Sequence, residues 1–293
     1  MVSIRAALRD SASKSAVFAI ALVLAFLLSC DTPDAIANFS SSAVVTLRSG
    51  DSLFDDMRGT CVREAQTREP FGSFSVSDAA APAVCDDVGK QAEGLKAASK
   101  ILSNYFTALN DLASFGTSKT GDDVRGLLAK ASGQAKLSAA RQDALGSIAG
   151  LLTRVVAAGY QRKKLADDIV KAHGDIKAVL DGLGEAAGVV YLHQLQEEEK
   201  KTAIRYKGYL VQHQESAAAV LILDSRWQSD RASFSAKENA ALSYQAALAT
   251  LAKGNEDLAA HARSLKKKEL LGLLSPYAAQ LESLAPAIQK AFL

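Results

Sequence analysis

From Asp86 onward, apolar residues recur every three or four positions, the spacing that gathers them on one face of an α-helix. Asp86 and Asp87 suit a helix N-terminus, and Val88, Leu95, Ile101, Leu102, Tyr105, Leu109 and Leu112 follow in step. The GTSKTG run at 116–121 interrupts, Asp122 restarts a shorter helix, and Ala131-Ser132-Gly133 reads as a turn. Leu137, Leu145, Ile148, Leu152, Val155, Leu165, Ile169, Ile176, Val179 and Leu183 resume the period. Asp181-Gly182-Leu183-Gly184 offers an end, because Gly favours the position just past a helix. Leu192, Leu195, Thr202, Tyr206, Tyr209, His213, Val220, Leu223 and Trp227 mark a third helix from about Glu185 to Arg231. Ser235-Ala236-Lys237-Glu238 has the form of a capping box and predicts a new start. Leu242, Leu248, Leu251, Leu258 and Leu265 carry that fourth helix to about Leu274, and Ser275-Pro276 then predicts a short terminal helix.

The segments 86–132, 134–181, 185–231 and 235–274 each span about 60–70 Å at ~1.5 Å per residue. Matched lengths and short connections predict an all-α fold, an elongated up-down four-helix bundle with a short C-terminal helix. The rival reading keeps the chain helical through Gly182 and Gly184, a rod about 140 Å long whose apolar stripe needs a partner.

Before Asp86 the pattern loosens. Ala43 to Leu47 suits a short extended piece, Ser52 caps a helical stretch to about Gln66, and Pro70, Gly72 and Pro82 mark a loop. Residues 43–85 therefore read as an irregular N-terminal segment. Asp31 to Ser42, with Pro33 and three consecutive serines, reads as a tether of at most about 40 Å.

The first 29 residues have the layout of a secretory signal peptide. Arg5, Arg9 and Lys14 precede the apolar run Ala16–Leu28, which is short against the roughly 20 residues of a membrane-spanning helix. An uncleaved anchor is the alternative. The run ends in Leu27-Leu28-Ser29-Cys30, which resembles the lipobox of bacterial lipoproteins. That resemblance covers residues 1–30 alone. It implies that Cys30 is alkylated with a diacylglyceryl group, that cleavage falls before it, and that the new N-terminus is acylated. Three acyl chains exceed the two signals that stable anchoring needs. The protein is then held by membrane lipid on the periplasmic side of the cell envelope, and Asp31 favours the inner membrane over the outer.

With Cys30 committed to lipid, Cys61 and Cys85 are the remaining cysteines, and outside the cytoplasm they are expected to form a disulfide. Two free thiols or a metal pair are the other reading, for which no histidine stands nearby. The domain order becomes signal peptide 1–29, lipidated tether 30–42, disulfide-stapled irregular segment 43–85 and helical bundle 86–293.

Cleavage also changes the charge. The chain carries 34 Lys+Arg and 32 Asp+Glu; losing Arg5, Arg9, Lys14 and Asp10 leaves 31 of each. A neutral chain without a dense basic patch does not fit a nucleic-acid binder. Aromatics make up only 6% of residues, which suits a core of small and aliphatic side chains between close helices.

Candidate chemistry is sparse. His173, His193, His213 and His261 form no HxxxH or HExxH pair, and none closes a Glu-x-x-His motif, so no metal is predicted. There is no GxSxG elbow and no Gly-rich phosphate loop after a strand, so neither a catalytic residue nor a cofactor is assigned. Tyr206, Tyr209, His213 and Trp227 share one face of the third helix and are the candidate ligand or partner surface. Arg263, Lys266, Lys267 and Lys268 read as a solvated helix surface rather than a headgroup contact. The expected function is a non-catalytic interaction or structural lipoprotein that binds another envelope protein. Ligand binding between bundle helices is the alternative, and an enzyme of unknown type the remote one.

Overall fold

The computed structural model describes residues 33–67, 83–113, 123–157, 162–212, 216–263 and 267–292. Among them there is no strand. The elements are α1 (Pro33–Ser49), α2 (Asp51–Gln66), α3 (Ala83–Ala113), α4 (Val124–Gln134), α5 (Ala139–Ala157), α6 (Arg162–Glu185), a π-helical turn (Ala186–Tyr191), α7 (Leu192–Gln212), α8 (Ala217–His261) and α9 (Lys267–Lys290). The all-α class is as expected. Several boundaries are not.

The largest difference lies at the start, where a tether and an irregular segment were expected. Residues 33–49 instead form α1, packed among α3, α8 and α9, while the helical stretch expected from Ser52 to about Gln66 is present as α2. Ala35, Phe39, Ala43 and Leu47 recur at four-residue intervals and are all buried. Two of the three serines that suggest a tether are inside as well: Ser40 and Ser42 are buried with Thr46 and Ser49, while Ser41 is exposed. Small hydroxyl side chains let helices approach closely and return their hydrogen bonds to the backbone. Ser42 Oγ donates to the Asn38 carbonyl at 2.9 Å and Ser49 Oγ to the Thr46 carbonyl at 2.7 Å. Gly50 joins α1 to α2 with a right-handed backbone, and a Cβ there would overlap the buried Tyr244 ring.

Contacts between elements fix the directions. Ser99 Oγ donates to the Leu47 carbonyl and Phe39 packs edge-on against Phe106, so α3 runs antiparallel to α1. Phe54 meets Tyr244 while Phe39 meets Gly254, so α8 is antiparallel to the α1–α2 line. Ser42 Oγ donates to Glu282 at 3.1 Å and Phe292 lies near Ser52, which makes α9 parallel to α1. The start of α1 and the end of α8 therefore share one end of the molecule, here called the base.

Three of the expected breaks are absent. The chain stays helical through Gly182 and Gly184, as the rival reading held. Val179, Leu180, Leu183, Ala186, Ala187 and Tyr191 are buried, and burial at about 2 kcal/mol per large side chain outweighs about 1 kcal/mol per Gly. Ser235 lies inside α8, whose actual N-cap is Ser216: its Oγ accepts from the Ala219 N–H at 3.3 Å. Neither Gly nor Pro occurs between Ala217 and Lys253, so nothing in the backbone stops the helix at the capping-box signature. Pro276 likewise falls within α9 rather than opening it. The reversals come instead inside the predicted segments, between α3 and α4, α5 and α6, and α7 and α8.

Cys61 and Cys85 are bonded, joining the second half of α2 to the first turn of α3, with Cα atoms 5.6 Å apart.

Candidate functional site: a groove below an exposed helical hairpin

At the end opposite the base, α7 and the first half of α8 leave the core as a two-helix hairpin. Leu195 and Glu198 are the buried residues of α7, and burial in α8 begins only at Phe234. Between Glu198 and Phe234 no described residue is buried. Ile204, Val211, Leu221 and Ile222 are between 63% and 71% exposed, although Leu and Ile are ordinarily among the most buried residue types.

The C-terminal half of α2 props this hairpin. Arg63, Gln66 and Thr67 from α2, Thr202, Arg205, Tyr206 and Tyr209 from α7, and Ile222, Leu223, Arg226, Asp230 and Phe234 from α8 line an open groove of about 740 Å³. Tyr206 is the hinge of its wall. Its hydroxyl donates to Asp230 Oδ2 at 2.7 Å, its ring lies 5.6 Å from that of Trp227, and Arg226 reaches Asp230 at 3.4 Å. Burial and the Asp230 carboxylate push the Tyr206 hydroxyl up to about 12. Arg205 donates to the Gln66 carbonyl at 3.1 Å and lies over the Tyr209 ring, 5.9 Å from its centre.

A charge cluster forms the floor. Arg63 Nε donates to Glu198 Oε1 at 2.6 Å, and its Nη2 reaches both Asp56 oxygens at 3.1 Å. Lys237 Nζ sits 3.0 Å from the same carboxylate, and the Tyr191 hydroxyl donates to Asp56 Oδ2 at 2.8 Å. Burial acts to raise the Asp56 carboxyl, but Arg63, Lys237 and Tyr191 together outweigh it and hold the group below the usual carboxylate range. Glu198 goes the other way. Burial outweighs its bonds to Arg63, so its carboxyl lies above the usual range. The π-turn ends at Tyr191, where the widened helix hands its side chain to this cluster; such turns recur at functional positions. A short bond from Lys201 to Glu64 closes the outer edge between α7 and α2.

The predicted site is therefore brought together in part. Tyr206 and Tyr209 line the groove, Trp227 backs Tyr206 from outside the lining, and His213 lies outside the described residues. Cys30 and the signal segment are also outside them. Arg205 stands one position before Tyr206 and four before Tyr209, so helical spacing alone would have added it to the aromatic face. Arg226 and Asp230 are an i,i+4 pair that the same reading offers. Arg63 with Glu198 had no such signal, being 135 positions apart. Elsewhere, Arg263 pairs with Asp167 at 2.7 Å near the base. The Nδ1 atoms of His173 and His261 lie within hydrogen-bond distance of the carbonyls of Val170 and Asp257. Among the described residues no three His, Cys, Asp or Glu side chains are grouped as a metal site, and no helix is long and apolar enough to cross a membrane.

No family model matches the chain, and no curated protein or solved structure matches it either.

Proposed function

We propose that this is a lipid-anchored envelope protein that works as a non-catalytic adaptor, standing on the membrane at its base and presenting the α7–α8 hairpin to another envelope protein. The observation that carries the reading is the exposure of Ile204, Val211, Leu221 and Ile222 at the end away from α1. Together they offer roughly a few hundred Å² of apolar surface, the scale that marks interaction sites on soluble proteins. The lipobox resemblance supplies the orientation. Pro33, which opens α1, stands three residues after Cys30, a reach of at most about 10 Å. The 45 residues of α8 span about 67 Å from base to hairpin. A partner with an apolar face then meets the tip well clear of the lipid surface, on the periplasmic side and, from Asp31, at the inner membrane.

Two experiments test this. A photo-cross-linking residue placed at Leu221 in the full chain, in its native envelope, is expected to capture one defined protein, and Ile204→Ser/Val211→Ser to abolish the capture with helix content unchanged. Equal capture by that variant, or no product at all, refutes the adaptor reading. Cys30→Ser is expected to leave a full-length precursor, and normal maturation of that variant removes the anchor from the proposal.

A further inference from the structure

We propose that the groove between α2, α7 and α8 is a binding site for a small amphipathic monoanion, with one carboxylate or phosphate head on an apolar body. This site borders the protein-docking tip proposed above, sharing Ile222 with it, and its argument does not rest on that docking.

Charge is the first argument. Arg63, Arg205, Arg226 and Lys237 line the groove, and the carboxylates within it or directly beneath it are Glu198, Asp230 and Asp56. Among the described residues, four cations against three anions leave one positive charge over. The carboxylates are each held by donors from the protein: Glu198 by Arg63, Asp56 by Arg63, Lys237 and Tyr191, Asp230 by Tyr206 and Arg226. Arg205 differs. It is bonded to a backbone carbonyl and covers a ring face, neither of which carries a formal charge, and a guanidinium has five N–H donors to place. Planar guanidinium groups favour carboxylate and phosphate oxygens, to which they bond in pairs.

Shape is the second argument. The volume of about 740 Å³ lies in the range of small-molecule sites, and beside the polar Gln66, Thr67, Thr202 and Ser233 its walls carry the apolar and aromatic Tyr206, Tyr209, Ile222, Leu223 and Phe234. A fully polar anion leaves those walls wet, and a neutral hydrocarbon leaves the surplus charge of Arg205 without a partner. An anion with an apolar body satisfies both.

Trp227 is the one tryptophan of the chain and packs against the Tyr206 ring, so its emission reports on the groove. The full chain in phosphatidylcholine vesicles is titrated with dodecanoate and, separately, dodecyl phosphate; dodecanol is the neutral control and vesicles alone the blank. A saturable change in emission with either anion, at least tenfold weaker for dodecanol, is the expected result, and the better anion assigns the head group. Arg205→Gln/Arg226→Gln is expected to weaken binding at least tenfold. Leu223→Trp/Trp227→Phe fills the groove without altering its charge; by isothermal titration it is expected to weaken binding as strongly. The proposal is overturned by the absence of a saturable change with both anions. It is equally overturned by a dodecanol response that matches them, or by unchanged affinity in both variants.

Discussion

Arg63→Met is the sharpest test of how the hairpin is held to the core. Arg and Met have nearly equal helix propensity, so the change leaves α2 intact and removes only the guanidinium. Glu198 then keeps a carboxylate whose side chain is 3% exposed and loses the partner bonded at 2.6 Å. Breaking a buried ion pair from one side costs about 3–5 kcal/mol. The Arg63 side chain is 40% exposed, so water screens part of the interaction and the expected loss sits at the low end, about 3 kcal/mol. Asp56 adds little, because Lys237 and Tyr191 still hold it. The pH dependence follows from the sign of the Glu198 shift. Its folded carboxyl already lies above the unfolded value, and the substitution raises it further. The penalty is therefore complete above the folded value, shrinks as pH falls and the folded state takes up the proton, and vanishes below about 4.5. Urea unfolding followed by far-UV circular dichroism at pH 7.5 and pH 5 measures both effects. Arg63→Met/Glu198→Met should recover most of the loss, since replacing both partners by apolar groups is close to neutral. A loss below about 1 kcal/mol at pH 7.5, or a double variant no more stable than the single one, refutes the argument.

Three further outcomes are expected in the same assay. Phe39→Ala should cost about 3–5 kcal/mol, because Phe39 is buried against Phe106 and Gly254; a residue in a tether would cost nothing. Cys61→Ser/Cys85→Ser releases a loop closed across 24 positions and should cost about 3.5 kcal/mol in the chain-entropy model, with an unchanged midpoint as the contrary result. Gly94→Ala places a methyl group 2.7 Å from the Ala135 Cα and against the Gln134 backbone, which cannot rotate away. Overpacking at the upper end of about 1–3 kcal/mol, less about 1 kcal/mol regained in helix propensity, leaves a net loss of about 2 kcal/mol, and stabilisation would contradict the close approach of α3 to the α4–α5 connection.

Helical class was legible in the sequence because the three- and four-residue period is a local property. Ile101, Leu102, Tyr105 and Leu109 follow that period and are buried. Element ends were less legible, because the punctuation used to find them is weak beside packing. The glycines at 182 and 184, the capping-box residues at 235–238 and Pro276 all carry stop or start signals that the burial of neighbouring residues overrides. α1 was missed for a related reason. Its core-facing positions include Ser42, Thr46 and Ser49, polar residues that leave no hydrophobic trace, and Ser42 and Ser49 are buried with their hydroxyls bonded to carbonyls of their own helix. In the groove the aromatic face was legible in part: Tyr206 and Tyr209 share one face of α7, whereas Trp227 stands on α8 and meets Tyr206 because the hairpin folds back, not through a single third helix. The cluster of Asp56, Arg63, Glu198 and Lys237 was not, since it joins three elements that only the tertiary fold brings together.

The position of α1 bears on how the molecule carries load. A slack leader would absorb a tug at the N-terminus by straightening, and the bundle would not feel it. Here a force applied just before Pro33 acts along a helix lodged among α3, α8 and α9, and pulling it out means sliding Phe39, Ala43 and Leu47 past their neighbours together. Contacts loaded in shear yield collectively rather than one at a time, so the first helix works as a root set in the body of the protein, and under the proposed lipid anchor a pull from the membrane would pass straight into the core.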